Sequence, residues 1–190
     1  MGKLELNELK LICENLRNGG NILYPCDTLW ALGCDAENDR AIDKITMIKG
    51  LEGPEPMVVL VSNLRMLLHY VPQLPPKAGD MIEYYEKPLT IVYKDCLHIS
   101  DKLRAPDGSV AIRLIKEPNC AAMINSFGAA VVATMASKNT TKLPYSFQDI
   151  PTDIKKTVDH IVGFNMDFKG KNASVMLSIN SKNELVFLRH

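Results

Sequence analysis

Apolar positions change their spacing several times along the chain, and each change marks an element. Leu9, Ile12, Cys13 and Leu16 recur at helical spacing and Asn18-Gly19-Gly20 ends the run, so the pattern predicts an amphipathic helix over about Leu6 to Asn18. Asn21 to Tyr24 reads as a short strand stopped by Pro25, and Cys26 to Gly33 as a loop. Asn38 can cap a second helix whose inward face is Ile42, Ile45 and Ile48 and which stops at Gly50. Past Gly53-Pro54-Glu55-Pro56, the unbroken run Met57 to Val61 has the pattern of a strand covered on both faces. Asn63 to Tyr70 reads as a helix, as does Lys77 to Glu86, opened by Pro75-Pro76. Pro88 to Tyr93, Val110 to Leu114 and Ala130 to Ala133 read as strands, with a helix over Cys120 to Phe127. Strands are also expected at Asp159 to Val162, Ser174 to Ile179 and Glu184 to Leu188. The last two would form a hairpin around Asn180-Ser181-Lys182-Asn183. Helices alternating with strands, and a late hairpin, point to an α/β fold with a mixed sheet.

Composition narrows this picture. The chain has 190 residues, 46% hydrophobic and 23% charged, which excludes a disordered or collagen-like polymer and suits a single domain over 1–190. Lys+Arg 22 equals Asp+Glu 22, so there is no long-range pull on nucleic acid and any anion site must be local. Cys13, Cys26, Cys34, Cys96 and Cys120 are odd in number and widely spaced, as free thiols in a reducing compartment would be, and a cytoplasmic location is expected. His69, His98, His160 and His190 lie far apart in sequence, so no metal site is expected. Acidic residues interrupt the opening Met1 to Glu8, and no apolar stretch is long enough to span a bilayer; neither an export signal nor a membrane partner is expected.

The two standard phosphate-binding glycine motifs are absent, so a nucleotide, where bound, is bound otherwise. Tyr24 to Gly33 leaves a strand and carries Cys26, Asp27, Thr28 and Trp30 into a turn, a position where α/β sheets gather ligands. The same residues also suit a plain turn in which Asp27 bonds its own backbone and Trp30 packs in the core.

Tyr24-Pro25-Cys26-Asp27-Thr28-Leu29-Trp30-Ala31-Leu32-Gly33, then Ile48-Lys49-Gly50, then Pro56-Met57-Val58-Val59-Leu60-Val61, resembles the opening of the YrdC/TsaC family in order and spacing. That family's pattern is Tyr-Pro-Thr-Asp/Glu-Thr-x-Tyr-Gly-Leu-Gly, then Lys-x-Arg, then Lys-Pro. Lys87-Pro88-Leu89-Thr90-Ile91-Val92 is similar to its Pro-x-Thr strand, Val110 to Leu114 to its Val-x-Arg strand, and Ala133 to Ser137 to its Thr-Ser-x-Asn region. The likeness extends to Ala173-Ser174-Val175 and Arg189. It implies a YrdC-like twisted mixed sheet with helices on its faces around a central, positively charged cavity. It also implies an enzyme that joins L-threonine, bicarbonate and ATP, usually with magnesium, into threonylcarbamoyl-adenylate for tRNA adenosine threonylcarbamoylation. By motif position Lys49 would face the reacting anions, and Thr28, Asp27, Trp30 and Cys26 would line the amino-acid pocket. Thr90, Arg113, Thr134, Ser137, Ser174 and Arg189, with Lys49, would hold the nucleotide. Implied partners beyond the substrates are tRNA or double-stranded RNA and tRNA-modification proteins.

Plainer readings stand beside these. Lys49 in the last turn of a helix complements the dipole as a solvated lysine; Thr90 can be an ordinary strand threonine. Arg113, inside an apolar strand, needs a ligand or a carboxylate. The pattern also departs from the family: Leu51 replaces the second cation of Lys-x-Arg, Cys26 a threonine, Trp30-Ala31 the Tyr-Gly pair, Met135-Ala136-Ser137 the Ser-x-Asn signature, and Ala173-Ser174 a Ser-Thr pair. A lost charge-assisted bond is worth roughly 1.5 to 3 kcal/mol. Lys138, Lys142, Arg104 or Arg189 would be the cations to compensate. The alternative is a divergent relative that binds nucleotide or double-stranded RNA without the synthase activity.

Overall fold

The computed structural model describes residues 4–50, 57–138, 142–180 and 184–189. Leu51, the Gly53 to Pro56 stretch, the hairpin tip Ser181 to Asn183 and His190 lie outside them.

Helix α1 (Leu6–Arg17) buries Ile12, Cys13 and Leu16, the face its spacing predicts. Strands β1 (Ile22–Pro25) and β2 (Trp30–Gly33) follow. Helix α2 (Asp39–Lys49) opens where the Asn38 side chain accepts Arg40 N–H and Ala41 N–H, and closes at Gly50, whose left-handed φ of 63° suits a residue without Cβ. Next come β3 (Val58–Val61), α3 (Leu64–Tyr70), α4 (Pro76–Tyr84), β4 (Leu89–Tyr93) and β5 (Val110–Leu114). The remainder is α5 (Pro118–Phe127), β6 (Val131–Met135), α6 (Thr152–Thr157), β7 (His160–Ile161), β8 (Val175–Ile179) and β9 (Leu185–Arg189).

Among the described residues the strands form one sheet in the order β7-β1-β2-β6-β3-β5-β4-β8-β9. The pairs β1/β7, β3/β5 and β4/β8 are parallel and the rest antiparallel, so the sheet is mixed. Helices α1 and α5 pack on one face, against Ile22, Tyr24, Leu60 and Val131. The other face meets α2, α3, α4 and α6 through Ile42, Ile45, Leu67, Ala78 and Ile154, against Leu32, Val59, Ile91 and Val132. The fold is the expected single-domain α/β arrangement with helices on both faces.

One expectation is corrected. Cys26 to Gly33 is not all loop: Trp30 to Gly33 is β2, paired antiparallel with β1 from Ile22↔Gly33 to Pro25↔Trp30. All four β2 residues are buried, so no alternation of polar and apolar residues marks the strand. The turn shrinks to the residues between Cys26 and Leu29, closed by Cys26 N–H to Leu29 O at 3.1 Å.

Candidate functional site

The β1–β2 hairpin is fixed from below by two residues of its own motif. Tyr24 is fully buried and donates its hydroxyl to Val132 O at 3.0 Å, and its ring covers Gly33. A Cβ on Gly33 would lie 2.5 Å from Val132 O and 2.6 Å from the Tyr24 ring. One of those is backbone and cannot give way. Gly33→Ala is therefore expected to destabilise the fold by about 1 to 3 kcal/mol, read as a lower urea midpoint with unchanged slope. From above, Lys171 N–H bonds Thr28 O at 2.8 Å, Trp30 N–H bonds Pro144 O at 3.0 Å and Gly170 N–H bonds Tyr145 O at 2.5 Å. These backbone bonds clamp the turn between two later segments and leave no side-chain signature in the sequence.

The turn reaches a residue four strands away. In a flat sheet β1 and β5 would stand about 19 Å apart at the usual strand spacing. Yet Arg113 Nη1 of β5 lies 2.7 Å from Asp27 Oδ1, with only 6% and 10% of the two side chains exposed. The sheet and turn curl so that the hairpin tip covers Arg113. Register puts Arg113 opposite Leu60 and level with Thr90, on the face of α1 and α5. Four of its five N–H donors have partners among the described residues: besides Asp27, Nε bonds Thr90 Oγ1 at 3.1 Å, Nη1 also bonds Thr28 Oγ1 at 3.3 Å, and Nη2 bonds Ser174 Oγ at 3.1 Å.

Arg189 joins this network through an irregularity. In the β8/β9 pair Leu177 faces Phe187 but Met176 faces Arg189, so Leu188 is an extra residue. The bulge returns Arg189 to the face of Thr90 and Met176 instead of the opposite one. Arg189 then donates Nε to Ser174 O at 2.9 Å and Nη2 to Ser174 Oγ at 3.1 Å. Burial, and then the Arg113 charge, lower the Arg189 pKa, as expected for two guanidiniums converging on one hydroxyl.

Proton accounting gives this network a direction. Ser174 Oγ accepts from both arginines, which fills its lone pairs, so at 2.8 Å it must donate to Thr90 Oγ1. Thr90 Oγ1 accepts that proton and Arg113 Nε–H, leaving its own O–H as a donor for another group.

A second polar cluster sits on the other side of the turn. Lys49 is 2% exposed and donates Nζ to Thr134 Oγ1 at 3.0 Å and to Met135 O at 2.8 Å. The solvated-lysine reading of Lys49 is thereby corrected. Register places Thr134 beside Leu32, on the α2 face and opposite to Arg113. Ala136 N–H bonds Trp30 O at 3.0 Å, so the β6 end that holds Thr134, Met135 and buried Ser137 abuts the same hairpin.

The structure thus unites Asp27, Thr28, Thr90, Arg113, Ser174 and Arg189 in one network, and Lys49 with Thr134 in another. Cys26 and Trp30 stand at the hairpin. Cys26 is buried and donates its thiol to Asp27 Oδ1 at 3.1 Å; burial, then the Asp27 carboxylate, push its pKa up. Trp30 is fully buried against Phe147, as in the plain-turn reading, and its indole N–H has no hydrogen-bond partner among the described residues. Of the compensating cations, Arg189 reaches the Arg113 network, while Lys138 pairs with Asp153 and Arg104 with Asp101 and Cys96 O. A hollow of about 820 Å³ lies elsewhere, at the carboxyl ends of β4 and β8, and none of the sequence-predicted residues lines it. Sequence reasoning missed Tyr145, Gly170 and Lys171, and missed that His69 and His98 stack at 4.5 Å.

Known proteins resemble this chain in sequence and in fold. A family model for the Sua5, YciO and YrdC proteins, described as telomere recombination, matches residues 14–190. A threonylcarbamoyl-AMP synthase of Halorhodospira halophila is 26% identical over 148 residues, 77% of this chain and 78% of that protein. The P. abyssi Sua5 structure complexed with L-threonine superposes with a TM-score of 0.85 at 18% identity over 99% of this chain, which spans 55% of that one. E. coli YciO superposes with a TM-score of 0.80 at 21% identity, over 96% of this chain and 89% of that one. With the motif residues gathered at one hairpin and a family model matching nearly the whole sequence, the chain belongs to the Sua5/YciO/YrdC family.

Proposed function

We propose that this protein is an ATP-dependent L-threonylcarbamoyladenylate synthase. One observation carries the reading: among the described residues, Arg113 and Arg189 converge on Ser174 against the one carboxylate of Asp27, which leaves surplus positive charge beside the hairpin. Every substrate of the reaction is an anion or carries a carboxylate, so this surplus is what the chemistry needs. The threonine amine adds to bicarbonate with loss of water, giving a carbamate. A carbamate oxygen then attacks the α-phosphorus of ATP, and the bond to the bridging oxygen breaks, so that pyrophosphate leaves with the electron pair. The protein's part is positioning and charge: the two arginines with Thr90 and Ser174 hold phosphate oxygens, and Thr28 lies against the amino acid. Lys49 meets the reacting anions from the Thr134 side.

Among the described residues no three His, Cys, Asp or Glu side chains converge as a metal cage. Magnesium carried on the triphosphate fits this better than a resident ion, with Asp27 as the nearby carboxylate, and would supply charge neutralisation there. The activated product is a mixed anhydride that an enzyme acting on tRNA adenosine would consume. The cytoplasm, which keeps thiols such as the five buried cysteines reduced, is the compartment this reading assigns. No helix of the described residues is long and apolar enough to cross a membrane.

The departures Cys26 and Leu51 favour a second reading, a nucleotide-binding relative without synthase activity. Incubating the purified protein with ATP, magnesium, bicarbonate and L-threonine separates the two. Threonine-dependent pyrophosphate is expected; none above blank, alongside measurable ATP binding, would leave only the relative.

A further inference from the structure

Asp27 is held by one oxygen only. Oδ1 takes Arg113 Nη1 at 2.7 Å and the weak Cys26 thiol donor at 3.1 Å, while Oδ2 is buried with no hydrogen-bond partner among the described residues. A carboxylate matched to a guanidinium fork uses both oxygens against two nitrogens. Here one nitrogen meets one oxygen, and the second oxygen pays desolvation without return. The other Arg113 contacts are all to hydroxyls, and Arg189 adds a second cation with no carboxylate of its own in the network.

We propose that Asp27 is the internal occupant of an oxyanion site formed by Arg113, Arg189, Ser174 and Thr90, and that a ligand oxyanion replaces it on Arg113 Nη1. The proposal rests on the reading of this network as anion-receiving and adds the residue that keeps it closed. Three features support it. Asp27 sits on the β1–β2 turn, so its side chain can turn outward while the strands stay paired. Release to water satisfies the orphaned Oδ2, whereas Arg113 loses nothing when an incoming oxygen takes the same donor. A phosphate chain or a carboxylate can bridge both guanidiniums, which Asp27 does not do. The Thr90 hydroxyl proton, left over in the network, is a further donor for that oxyanion. The shared chemistry is an oxyanion; it can come from the phosphate chain of a nucleotide or from the carboxylate of an amino acid.

Calorimetric titration of the full chain at low ionic strength tests this, with inorganic tripolyphosphate and L-threonine as separate probes, on wild type and Asp27→Asn. The variant is expected to bind tripolyphosphate about tenfold or more tightly, the value of one charge-assisted bond no longer to be displaced. A gain for tripolyphosphate assigns the site to phosphate; a gain for L-threonine alone assigns it to carboxylate. Unchanged or weaker binding of both probes overturns the proposal, since Asp27 would then be positioning Arg113. Absence of any binding in both proteins overturns the anion-receiving reading with it. Should Asp27→Asn fail to fold, carboxyl-carbon NMR of the wild type decides: saturating tripolyphosphate should move the Asp27 carboxyl signal to the position of a solvent-exposed aspartate, and an unmoved signal rejects displacement.

Discussion

Arg113→Leu is expected to remove about 3 to 5 kcal/mol of stability, a large share of the roughly 5 to 15 kcal/mol that holds a domain of this kind together. Leucine suits an apolar strand and fills much of the space, so the loss would come from what stays behind. Asp27 would remain as a buried carboxylate with no cation, and Thr90, Thr28 and Ser174 would each lose a donor. Asp27→Asn leaves Arg113 buried without a counter-charge, so it should cost a comparable amount although Arg113 keeps its bonds to Thr90, Thr28 and Ser174. The double variant Asp27→Asn/Arg113→Leu should then recover a good part of the Arg113→Leu loss, a coupling that a double-mutant cycle in urea measures. A loss below about 1 kcal/mol for Arg113→Leu would mean that the network does not tie the hairpin to β5.

That dependence explains which parts of the molecule the sequence discloses. Helix α2 is legible because its limits are local chemistry: Asn38 caps by side chain, Gly50 by backbone conformation, and Ile42 and Ile45 face inward at helical spacing. Strand β5 is legible for the same reason, and the need for an ion partner at Arg113 follows from its apolar neighbours alone. Strand β2 is hidden because burial on both faces erases the period of two, and six-residue α6 is too short and polar to register a period. The partner of Arg113 is hidden more deeply. Asp27 and Arg113 are separated by 86 positions, and only the curl of the sheet brings them together. Arg189 reaches the network only because a bulge shifts its register, and pattern alone assigns it to the other face. The resemblance named these residues by motif position, but it gave neither the carboxylate across Arg113 nor the burial of Lys49.

Lys49→Met is expected to reduce threonine-dependent pyrophosphate release about 100- to 1,000-fold, the usual effect of removing one group that stabilises developing charge. The effect on folding should be much smaller, since methionine keeps most of the lysine stem that packs at the end of α2. A lysine 2% exposed whose ammonium rests on Thr134 Oγ1 and Met135 O is poorly explained as a helix-dipole complement, because a solvated cation would serve the dipole equally without desolvation. Placing it there makes sense when the ammonium must be held still beside the hairpin that carries Thr28. Lys49→Arg should not restore turnover, because a planar fork cannot take the place of a compact ammonium between those two oxygens. Thr134→Val, which removes one acceptor and leaves the charge, should cost less than either. Steady-state rates at saturating and limiting L-threonine separate the possibilities: a fall in kcat at unchanged KM marks a group acting on the reacting anions, and a rise in KM alone marks one that only binds. Retention of more than about a tenth of wild-type kcat by Lys49→Met would make Lys49 a strut between α2 and β6 and move the reacting charge to another residue.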